Sequence, residues 1–345
     1  MINYINKDVI EPRMGKLGYT LKDVAERAGV SLTTVSRVIN KRGYFSEKTE
    51  SRIYTAMQEM NYHPNSVARS LSGKRTKLIG VILTDTRNPF NAQLLEKIES
   101  ELFNREYKVI LANSSDNPQK ERSYIGMLQS NQVDGLITAS HNTIIDDYQQ
   151  LNLPLVSLDR YFGPNIPTIS SDNFSGGQTA ARVLLAGGAK KLLVFSGEIH
   201  DTNPTVDRTN GFMDIAKKHQ LTPAIQMMPS DATVNFRKML IHQEILKQKP
   251  DGIMATDDTT ALLVLEELRM MHLRVPQDVQ VVGYDGSDFI RESFPTLSTV
   301  VQPISDLAKT LVDTLIRKIE QPDLAQERQY TFPITFHRGT TTKNA

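Results

Sequence analysis

Between positions 20 and 40, small and apolar residues recur at the spacing of two short helices joined by a tight turn. Ala25 falls inside the first helix, Gly29 at the turn and Val35 inside the second helix. Small residues at these positions let the helices approach closely, as they must if the second helix is to enter the major groove of DNA. The spacing therefore predicts a helix-turn-helix, although a simple helical hairpin could share it.

Each of these two helices follows a residue that can cap it. Thr20 precedes the first helix and Ser31 the second, and a hydroxyl at this position can accept a backbone N–H that has no partner inside the helix. A third helix is predicted from Ser46 to about Asn61. Its apolar face, which we interpret as core, consists of Ile53, Ala56, Met57 and Met60.

The segment after the third helix carries a short and isolated helical pattern. Pro64 ends the preceding helix, because the residue before a proline disfavours the helical conformation. Asn65 or Ser66 can cap a new helix, and Gly73 ends it after barely two turns. A helix this short is marginal in water by itself, so we expect it to order only against a partner.

From Lys77 onward, apolar strand patterns alternate with amphipathic helical patterns. The strand candidates include 78–83, 108–112, 134–139, 154–158, 191–196, 251–256 and 279–284. This alternation predicts parallel sheets with helices on both faces. VDGLI at 133–137 recurs as PDGIM at 250–254, which indicates two similar lobes with a ligand cleft at their strand ends. The last segment, at 331–341, is predicted to form a closing strand.

The composition narrows the class of protein. The chain has 345 residues, of which 39% are hydrophobic and 23% charged, so we expect a soluble protein of two or three domains. It contains no cysteine, which excludes disulfides and thiolate chemistry. No apolar run is long enough to span a membrane, and the chain does not open with a signal-peptide pattern. The expected location is therefore the cytoplasm.

Charge is distributed unevenly along the chain. Residues 1–75 hold thirteen Lys and Arg against seven Asp and Glu, a balance of +6, whereas the whole chain carries +1. The remainder therefore carries −5. A basic head on an acidic body suits phosphate binding at one end only. A merely solvated charged surface would give the same count, but the excess falls on the segment that holds the helix-turn-helix.

These elements, in this order, resemble the lactose-repressor family of bacterial transcription regulators. The resemblance covers residues 20–341 and includes the hinge pattern YxPNxxAxxL at 62–71. Within the family, four stretches are most similar to those of sucrose-operon repressors from Gram-positive bacteria. They are residues 41–49, 131–142, 164–177 and 281–290.

The fold that this resemblance implies is α/β. An N-terminal, all-α helix-turn-helix head is joined by a hinge helix to a two-lobed body, which is similar to periplasmic binding proteins and has parallel sheets. The expected domains are a tail with no assigned function (1–19), the DNA-binding domain (20–63), the hinge helix and linker (64–76), and the ligand-binding and dimerisation domain (77–341).

The exposed side of the second helix is predicted to read DNA. Arg37 can place its guanidinium on guanine O6 and N7, which discriminates between bases by about 1–3 kcal/mol; an ordinary surface arginine is the alternative. Thr33 can touch a thymine methyl group, and Leu32 offers apolar contact. The family has its base-reading residues at these three positions. Phosphate contacts that fix the register are expected from Thr20, Ser31, Thr34, Ser36 and Asn40.

The resemblance also assigns the hinge segment to the minor groove. Asn65, Ala68 and Leu71 are the expected contacts, because the small Ala68 lets the backbone lie close and Leu71 acts as a wedge. In a dimer, two such leucines would enter one central base step and kink the duplex. A lone leucine is by default a core residue, but the flanking Arg69 and Lys74 argue against a buried position here.

Three residues of the body match ligand-binding motifs of the family. Arg208 lies just before a predicted helix, and Asp257 and Asp285 each follow a strand directly, where side chains open into the cleft. Carboxylates beside an arginine suit vicinal hydroxyls, because the acids accept hydrogen bonds and the guanidinium donates them. Asp257 or Asp258 could instead cap the following helix, and Asp285 could instead satisfy backbone N–H groups in a turn.

The other lobe offers further ligand-binding candidates. Phe90 follows the first strand and could stack on a sugar face; the chain has no Trp, so an aromatic platform must come from Phe or Tyr. Asp159 and Arg160 follow the fourth strand candidate and are expected to face the cleft. Asp172 and Asn173 lie where the chain is expected to cross between the lobes, so hinge structure competes with ligand contact there.

Together these features predict a homodimeric repressor of a sugar-utilisation operon, most specifically one for sucrose. A sugar or sugar phosphate bound between the lobes would release it from a palindromic operator in double-stranded DNA, with a coupling of about 1–3 kcal/mol between the two sites. A regulator that needs a protein co-regulator is one alternative, and an enzyme acting on a sugar or nucleotide is another. The chain has no GxGxxG, Walker-A, HExxH or GxSxG motif, so no catalytic residue, cofactor or metal ion is predicted.

Overall fold

The structure is a computed structural model. It describes residues 19–39, 42–62, 75–130, 133–140, 142, 144–197, 205–229, 231–324 and 327–343. The chain divides into two compact units, Met1–Thr76 and Lys77–Ala345. In the described part of the chain, every helix is too short or too polar to cross a membrane.

The first unit contains the predicted helix-turn-helix. The helices among its described residues are α1 (Leu21–Ala28), α2 (Leu32–Ile39) and α3 (Glu47–Glu59). Thr20 caps α1 in a capping box, because its hydroxyl accepts from the N–H of Asp23 while the Asp23 carboxylate accepts from the N–H of Thr20. Gly29 ends α1 with a φ of +63°, the left-handed conformation that glycine adopts without steric cost.

The three helices pack around one small core. Val24 of α1, Val35 and Val38 of α2 and Ile53 of α3 are buried in it. With Ala28 and Ala56, the buried residues of each helix recur every three or four positions, which places them on its inward face. The core leaves the remaining side of α2 exposed, as the sequence predicts.

The second unit contains two six-stranded sheets, and the first of them is parallel throughout. Its strand order is β11-β5-β4-β3-β1-β2. The strands are β1 (Leu78–Leu83), β2 (Lys108–Asn113), β3 (Gly135–Ala139), β4 (Leu155–Leu158), β5 (Thr168–Ser171) and β11 (Gln329–Phe332). The helices within this stretch are α4 (Pro89–Phe103), α5 (Pro118–Ser130) and α6 (Ile145–Gln149).

The second sheet repeats this arrangement, with the order β12-β10-β9-β8-β6-β7. Its strands are β6 (Leu192–Ser196), β7 (Ala224–Met227), β8 (Gly252–Ala255), β9 (Gln280–Asp285), β10 (Ser298–Val301) and β12 (Thr335–His337). Only β12 runs antiparallel to its neighbour. The helices are α7 (Asn173–Ala186), α8 (Thr205–Lys218), α9 (Val234–Gln248), α10 (Asp258–Met270), α11 (Asp288–Ser293) and α12 (Ile304–Glu320).

Each sheet is covered by apolar side chains on both faces. One core of the first sheet includes Leu94 of α4 and Leu311 of α12, and the other includes Ile125 of α5. The second sheet likewise separates a core that includes Val264 of α10 from one that includes Phe212 of α8. The predicted parallel sheets with helices on both faces are therefore confirmed. We call the first sheet with α4, α5, α6 and α12 the first lobe, and the second sheet with α7–α11 the second lobe.

Among the described elements, the chain crosses between the lobes at three places. They are the links from β5 to α7, from β10 to α12 and from β11 to β12. The first link contains Asp172, as predicted from the sequence. The prediction of one closing strand at 331–341 is wrong, because Pro333 separates two short strands that join different sheets. Proline has no N–H to continue a strand ladder, so the segment breaks there.

The repeated sequence motif occupies equivalent places in the two lobes. Strands β3 and β8 each stand fourth in their sheet order. The Asp134 carboxylate accepts from the backbone N–H of Lys77 at 2.9 Å, next to the start of β1. The Asp251 carboxylate accepts from Lys190 and Lys191 at 2.8 and 2.7 Å, next to the start of β6. Both aspartates therefore fix the start of the neighbouring strand.

Candidate functional site: nucleic-acid interface and ligand cleft

The residues predicted to read bases lie on the exposed side of α2. Leu32 is 48% exposed, and Thr33 and Arg37 are also exposed, whereas Val35 and Val38 are buried. The exposed side chain of Leu32 is therefore available for the apolar contact that the sequence predicts. Leu32, Thr33 and Arg37 thus form one surface, which we call the reading face.

The Arg37 side chain is already ordered against the segment that follows α2. Its Nε donates to the Arg42 carbonyl at 3.3 Å, and its guanidinium carbon lies 5.6 Å from the centre of the Phe45 ring. A Cβ at Gly43 would approach a guanidinium nitrogen to 2.8 Å. This segment therefore limits where the guanidinium can point.

Two of the predicted phosphate contacts also act as helix caps. Thr20 closes the capping box of α1, and the Ser31 hydroxyl accepts from the N–H of Thr34 at 3.1 Å. Thr34 and Ser36 are partly exposed, so they too can reach a ligand. The predicted contacts Asn40, Asn65, Ala68 and Leu71 lie outside the described residues.

Arg52 on α3 supports the turn of the helix-turn-helix, a role that the sequence analysis missed. Its guanidinium donates to the Ala28 carbonyl at 2.5 Å and to the Gly29 carbonyl at 3.3 Å. Carbonyl groups at the end of a helix have no partner within it, and a cationic donor satisfies them well. No short-range pattern connects Arg52 with a turn 23 residues earlier.

In the second unit, Arg208 and Asp285 form a buried ion pair at the carboxyl ends of the strands. Arg208 is 4% exposed and Asp285 5% exposed, and Arg208 Nη1 lies 3.1 Å from Asp285 Oδ1. The same nitrogen donates to the Thr256 carbonyl at 2.7 Å. The guanidinium carbon lies 3.9 Å from the centre of the Tyr284 ring, which stacks on its planar face. Burial without these partners would strongly disfavour both charges.

Asn173 connects this ion pair to the first lobe. Its side-chain oxygen accepts from Arg208 Nε at 2.8 Å, and its Nδ2 donates to Asp159 Oδ1 at 3.1 Å. Asp172, beside it, caps α7 by accepting from the N–H of Ser175 at 2.9 Å. The sequence left open whether Asp172 and Asn173 serve the hinge or contact a ligand. Asp172 has a structural role as a helix cap, and Asn173 belongs with the polar residues of the cleft. We call Asp159, Asn173, Arg208 and Asp285 the inner site.

Burial changes the acidity of the inner-site carboxyl groups. It raises the pKa of Asp285 to about 6, against the opposing effect of the Arg208 charge. Burial also raises the pKa of Asp159, and the nearby Arg208 again acts in the opposite direction. Gln302, which the sequence analysis missed, donates to Asp285 Oδ1 at 2.7 Å and comes from the crossing that follows β10.

The turn that carries Asp285 is held by the neighbouring Asp258. Asp285 has a φ of +105° and Gly286 a φ of +59°, so both adopt the left-handed half of backbone space. Asp258 accepts from the Gly286 N–H at 2.7 Å and from the Thr299 hydroxyl at 2.6 Å. Burial, together with the charge of Asp285, raises the pKa of Asp258 well above its usual range. Asp258 therefore fixes the conformation of the turn at Asp285 and Gly286.

The choice that the sequence left open between Asp257 and Asp258 now has a structural basis. Asp257 is the cap of α10: its carboxylate accepts from the N–H of Thr260 at 2.8 Å and from the hydroxyls of Thr259 and Thr260. It remains partly exposed. Capping accounts for its position, and contact between Asp257 and a ligand stays a prediction.

Two predicted contacts of the first lobe lie in its interior. Phe90 is 7% exposed and packs in the core that contains Leu94. Arg160 is 1% exposed, and its guanidinium carbon lies 5.3 Å from the centre of the Phe162 ring. The left-handed φ of +57° at Asp159 sends the two neighbouring side chains in different directions. The expectation that Arg160 faces the cleft is therefore not supported, and stacking of Phe90 on a sugar stays a prediction.

The two compact units match two different models of known protein families. Residues 20–65 match the model of the lacI family of bacterial regulatory proteins, and residues 181–342 match the periplasmic binding protein-like domain. The sucrose operon repressor of Pediococcus pentosaceus is 46% identical over 93% of this chain and 98% of the relative. The chain belongs to the lacI family. This membership confirms the predicted regulator, as opposed to an enzyme.

Other members of the lacI family share the whole architecture. The sucrose operon repressor of Streptococcus mutans is 42% identical over 92% of this chain and 98% of the relative. A crystal structure of the Lac repressor dimer, bound to operator and the anti-inducer ONPF, aligns with a TM-score of 0.80 at 26% identity. That alignment covers 94% of this chain and 99% of the other. The predicted fold class is confirmed by it.

Proposed function

We propose that this lacI-family protein represses a sucrose-utilisation operon and that a sugar bound at the inner site releases it from the operator. Two relatives bear the name sucrose operon repressor and align over nearly their whole length. The exposed reading face supplies the means to recognise DNA. The observation that carries the sugar proposal is the buried Arg208–Asp285 pair with Asn173 between the lobes.

The chemistry of the inner site favours a polyhydroxylated ligand. The carboxylates of Asp159 and Asp285 accept hydrogen bonds, whereas the Arg208 guanidinium and the Asn173 amide donate them. A sugar hydroxyl can both donate and accept, so neighbouring hydroxyls can bridge these groups. Among the described residues the inner site has two carboxylates and one guanidinium. This balance favours a neutral sugar over a sugar phosphate.

The position of the inner site supports coupling to DNA binding. Asn173 and Gln302 lie on two of the three crossings between the lobes. A ligand that changes their partners acts where the relative angle of the lobes is set. The protein would act in the cytoplasm as a homodimer on a palindromic operator, and it would lie at the nucleoid when bound. The Lac repressor structure shows a dimer bound to operator for a relative.

The experiment that tests the proposal is a titration of purified full-length protein on a labelled operator fragment from its own promoter region. Fluorescence anisotropy would be recorded without sugar and with sucrose, fructose, glucose and their phosphates. We expect specific binding at nanomolar protein and release by a neutral sugar. Release only by a sugar phosphate would contradict the charge argument, and no release by any of them would overturn the sugar-effector proposal while leaving DNA binding intact.

A further inference from the structure

A cavity of about 560 Å³ adjoins the inner site. Its walls come from β5, β11 and the first turns of α7 and α8. Asp159 and Asn173 line it as well, so the cavity shares two residues with the inner site. Its volume lies within the range of about 300–1,000 Å³ that is usual for small-molecule sites.

Two exposed aromatic side chains line this cavity. Tyr161 is 49% exposed and Phe174 is 40% exposed, although large apolar side chains are usually covered. The two belong to different lobes: Tyr161 follows β4, and Phe174 lies in the first turn of α7. Aromatic rings pack well against the C–H face of a sugar ring, and the chain has no Trp to serve instead.

Apart from Val206, the remaining lining consists of residues with hydrogen-bonding side chains. Asp207 and Asn210 on α8 and Thr331 on β11 are exposed to the cavity, and the described lining contains neither lysine nor arginine. Asp159, 4% exposed, belongs to this wall and takes part in no ion pair among the described residues. A phosphate group would therefore meet carboxylates and neutral polar groups but no cationic side chain of the described lining. No group of His, Asp and Glu that could hold a metal ion occurs in the described part of the chain.

We propose that this cavity, the outer subsite, holds the second ring of a neutral disaccharide whose first ring occupies the inner site. Tyr161 and Phe174 contact the ring faces, and Asp159 and Asn173 lie at the junction of the two rings. The inference rests on the proposed function, because it presumes a sugar at the inner site. It adds that the effector has two rings and that its specificity over a monosaccharide comes from the outer subsite.

A tryptophan at position 161 would report occupancy of the outer subsite directly. Because the chain has no Trp, the Tyr161→Trp variant carries a single indole whose fluorescence belongs to that cavity. We expect its emission to change on addition of sucrose, with half-saturation at the dissociation constant measured by calorimetry, and to stay unchanged with fructose or glucose. The matched control is Phe103→Trp, which places the indole at an exposed position of α4 outside the cavity lining.

Removal of the aromatic rings tests their contribution to affinity. In isothermal titration calorimetry, Tyr161→Ala and Phe174→Ala should each raise the dissociation constant of sucrose about fivefold to tenfold, consistent with the loss of one aromatic contact. Monosaccharide affinity should change less than twofold, and Phe103→Ala should change neither. Thermal unfolding without sugar serves as the check that each variant is folded.

The outcomes separate the outer subsite from the proposed function. Two results would refute the outer-subsite proposal and leave the proposed sugar-responsive repressor intact. Either the wild-type protein binds a monosaccharide at least as tightly as sucrose, or the alanine variants leave the affinity for sucrose unchanged. Equal weakening of both kinds of sugar would also overturn the outer-subsite proposal. If no sugar binds the wild-type protein, both proposals fall. If sucrose alone binds, the Tyr161→Trp emission decides, and an unchanged emission rejects the outer subsite.

Discussion

At the scale of residues, Asn173 shows how one amide can join groups from both lobes. It accepts from Arg208 and donates to Asp159, and the two contacts require opposite ends of the same side chain. An aspartate there would repel Asp159, and a leucine would leave Arg208 with one partner fewer in a buried place. From the sequence, Asn173 could be placed at the crossing, but its partners lie 14 and 35 residues away and could not be identified.

Arg37 gives the residue-scale prediction for the reading face. Arg37→Ala should weaken binding to the native operator about 10- to 100-fold, because one bidentate contact to guanine discriminates by about 1–3 kcal/mol. Weak, salt-sensitive binding to unrelated DNA should remain. The measurement is anisotropy on operator and scrambled fragments. Arg27→Ala is the control, because Arg27 is an exposed arginine of the same unit that pairs with Glu59; unchanged specificity in Arg37→Ala would contradict the base-reading role.

Asp285 gives a prediction on pH. Its pKa in the folded protein, about 6, lies above the usual value for aspartate, so the folded state favours the protonated carboxyl. Stability of the wild type relative to Asp285→Asn should therefore increase as the pH falls below about 7. The increase should reach about 1 kcal/mol in the free energy of unfolding between pH 7.5 and pH 5. Chemical denaturation of both proteins across this range measures it, and a constant or opposite difference would refute the raised pKa.

At the scale of elements, the inner site depends on an unusually close approach of α7 and α8. A Cβ on Gly177 would collide with the Arg208 carbonyl, and a Cβ on Gly211 would collide with the Phe174 carbonyl. These glycines let the backbones of the two helices nearly touch. Asn173 starts α7 and Arg208 lies in the first turns of α8, so the helix contact sets the distance between them.

Gly177→Ala is the element-scale test. The methyl group must move α8 away from α7, which separates Arg208 from Asn173 and should reduce sugar affinity at least tenfold, together with a loss of stability of about 1–3 kcal/mol. Gly126→Ala is the matched control, because Gly126 also lies within a helix but a Cβ there would meet nothing. That substitution should leave sugar binding unchanged and stabilise the helix slightly. Calorimetry and thermal unfolding measure both effects; equal behaviour of the two variants would show that the close approach is not required.

The sequence predicts these elements unevenly. Strands such as Leu78–Leu83 are apolar throughout, so their pattern is clear even without tertiary information. Strands β5, β7 and β10 were not among the predicted ones; they are four residues long, and β7 alternates exposed and half-buried positions at the edge of its sheet. Such short strands depend on the neighbouring strands to which they attach, and they carry little signal of their own.

At the scale of the whole molecule, the reading face and the inner site lie in different compact units. A substitution in the inner site should therefore leave the DNA-binding unit folded. Communication between the units is then a matter of linked equilibria, in which sugar and operator each change the affinity for the other by the same factor.

Asp285→Ala tests this separation. The variant should bind the operator as the wild type does but should no longer be released by the sugar, because Arg208 loses its ionic partner and the ligand loses an acceptor. Anisotropy with increasing sugar measures release. If thermal unfolding shows that the alanine variant is not folded, Asp285→Asn keeps the shape of the side chain and replaces it in the same assay. Full release of a folded variant would remove Asp285 from the ligand site.

The sequence by itself determined the parts of this protein that rest on local patterns: the helix-turn-helix, the alternation of strands and helices, and the two lobes. Spacing of apolar residues and caps such as Thr20 act within a few positions, so they can be read without a structure. The tertiary structure alone decided that Asp159 joins Asn173 at the cleft while Arg160 packs against Phe162, and that Gln302 reaches Asp285. These contacts depend on chain crossings and on single backbone angles, and such features have no periodic signature in the sequence.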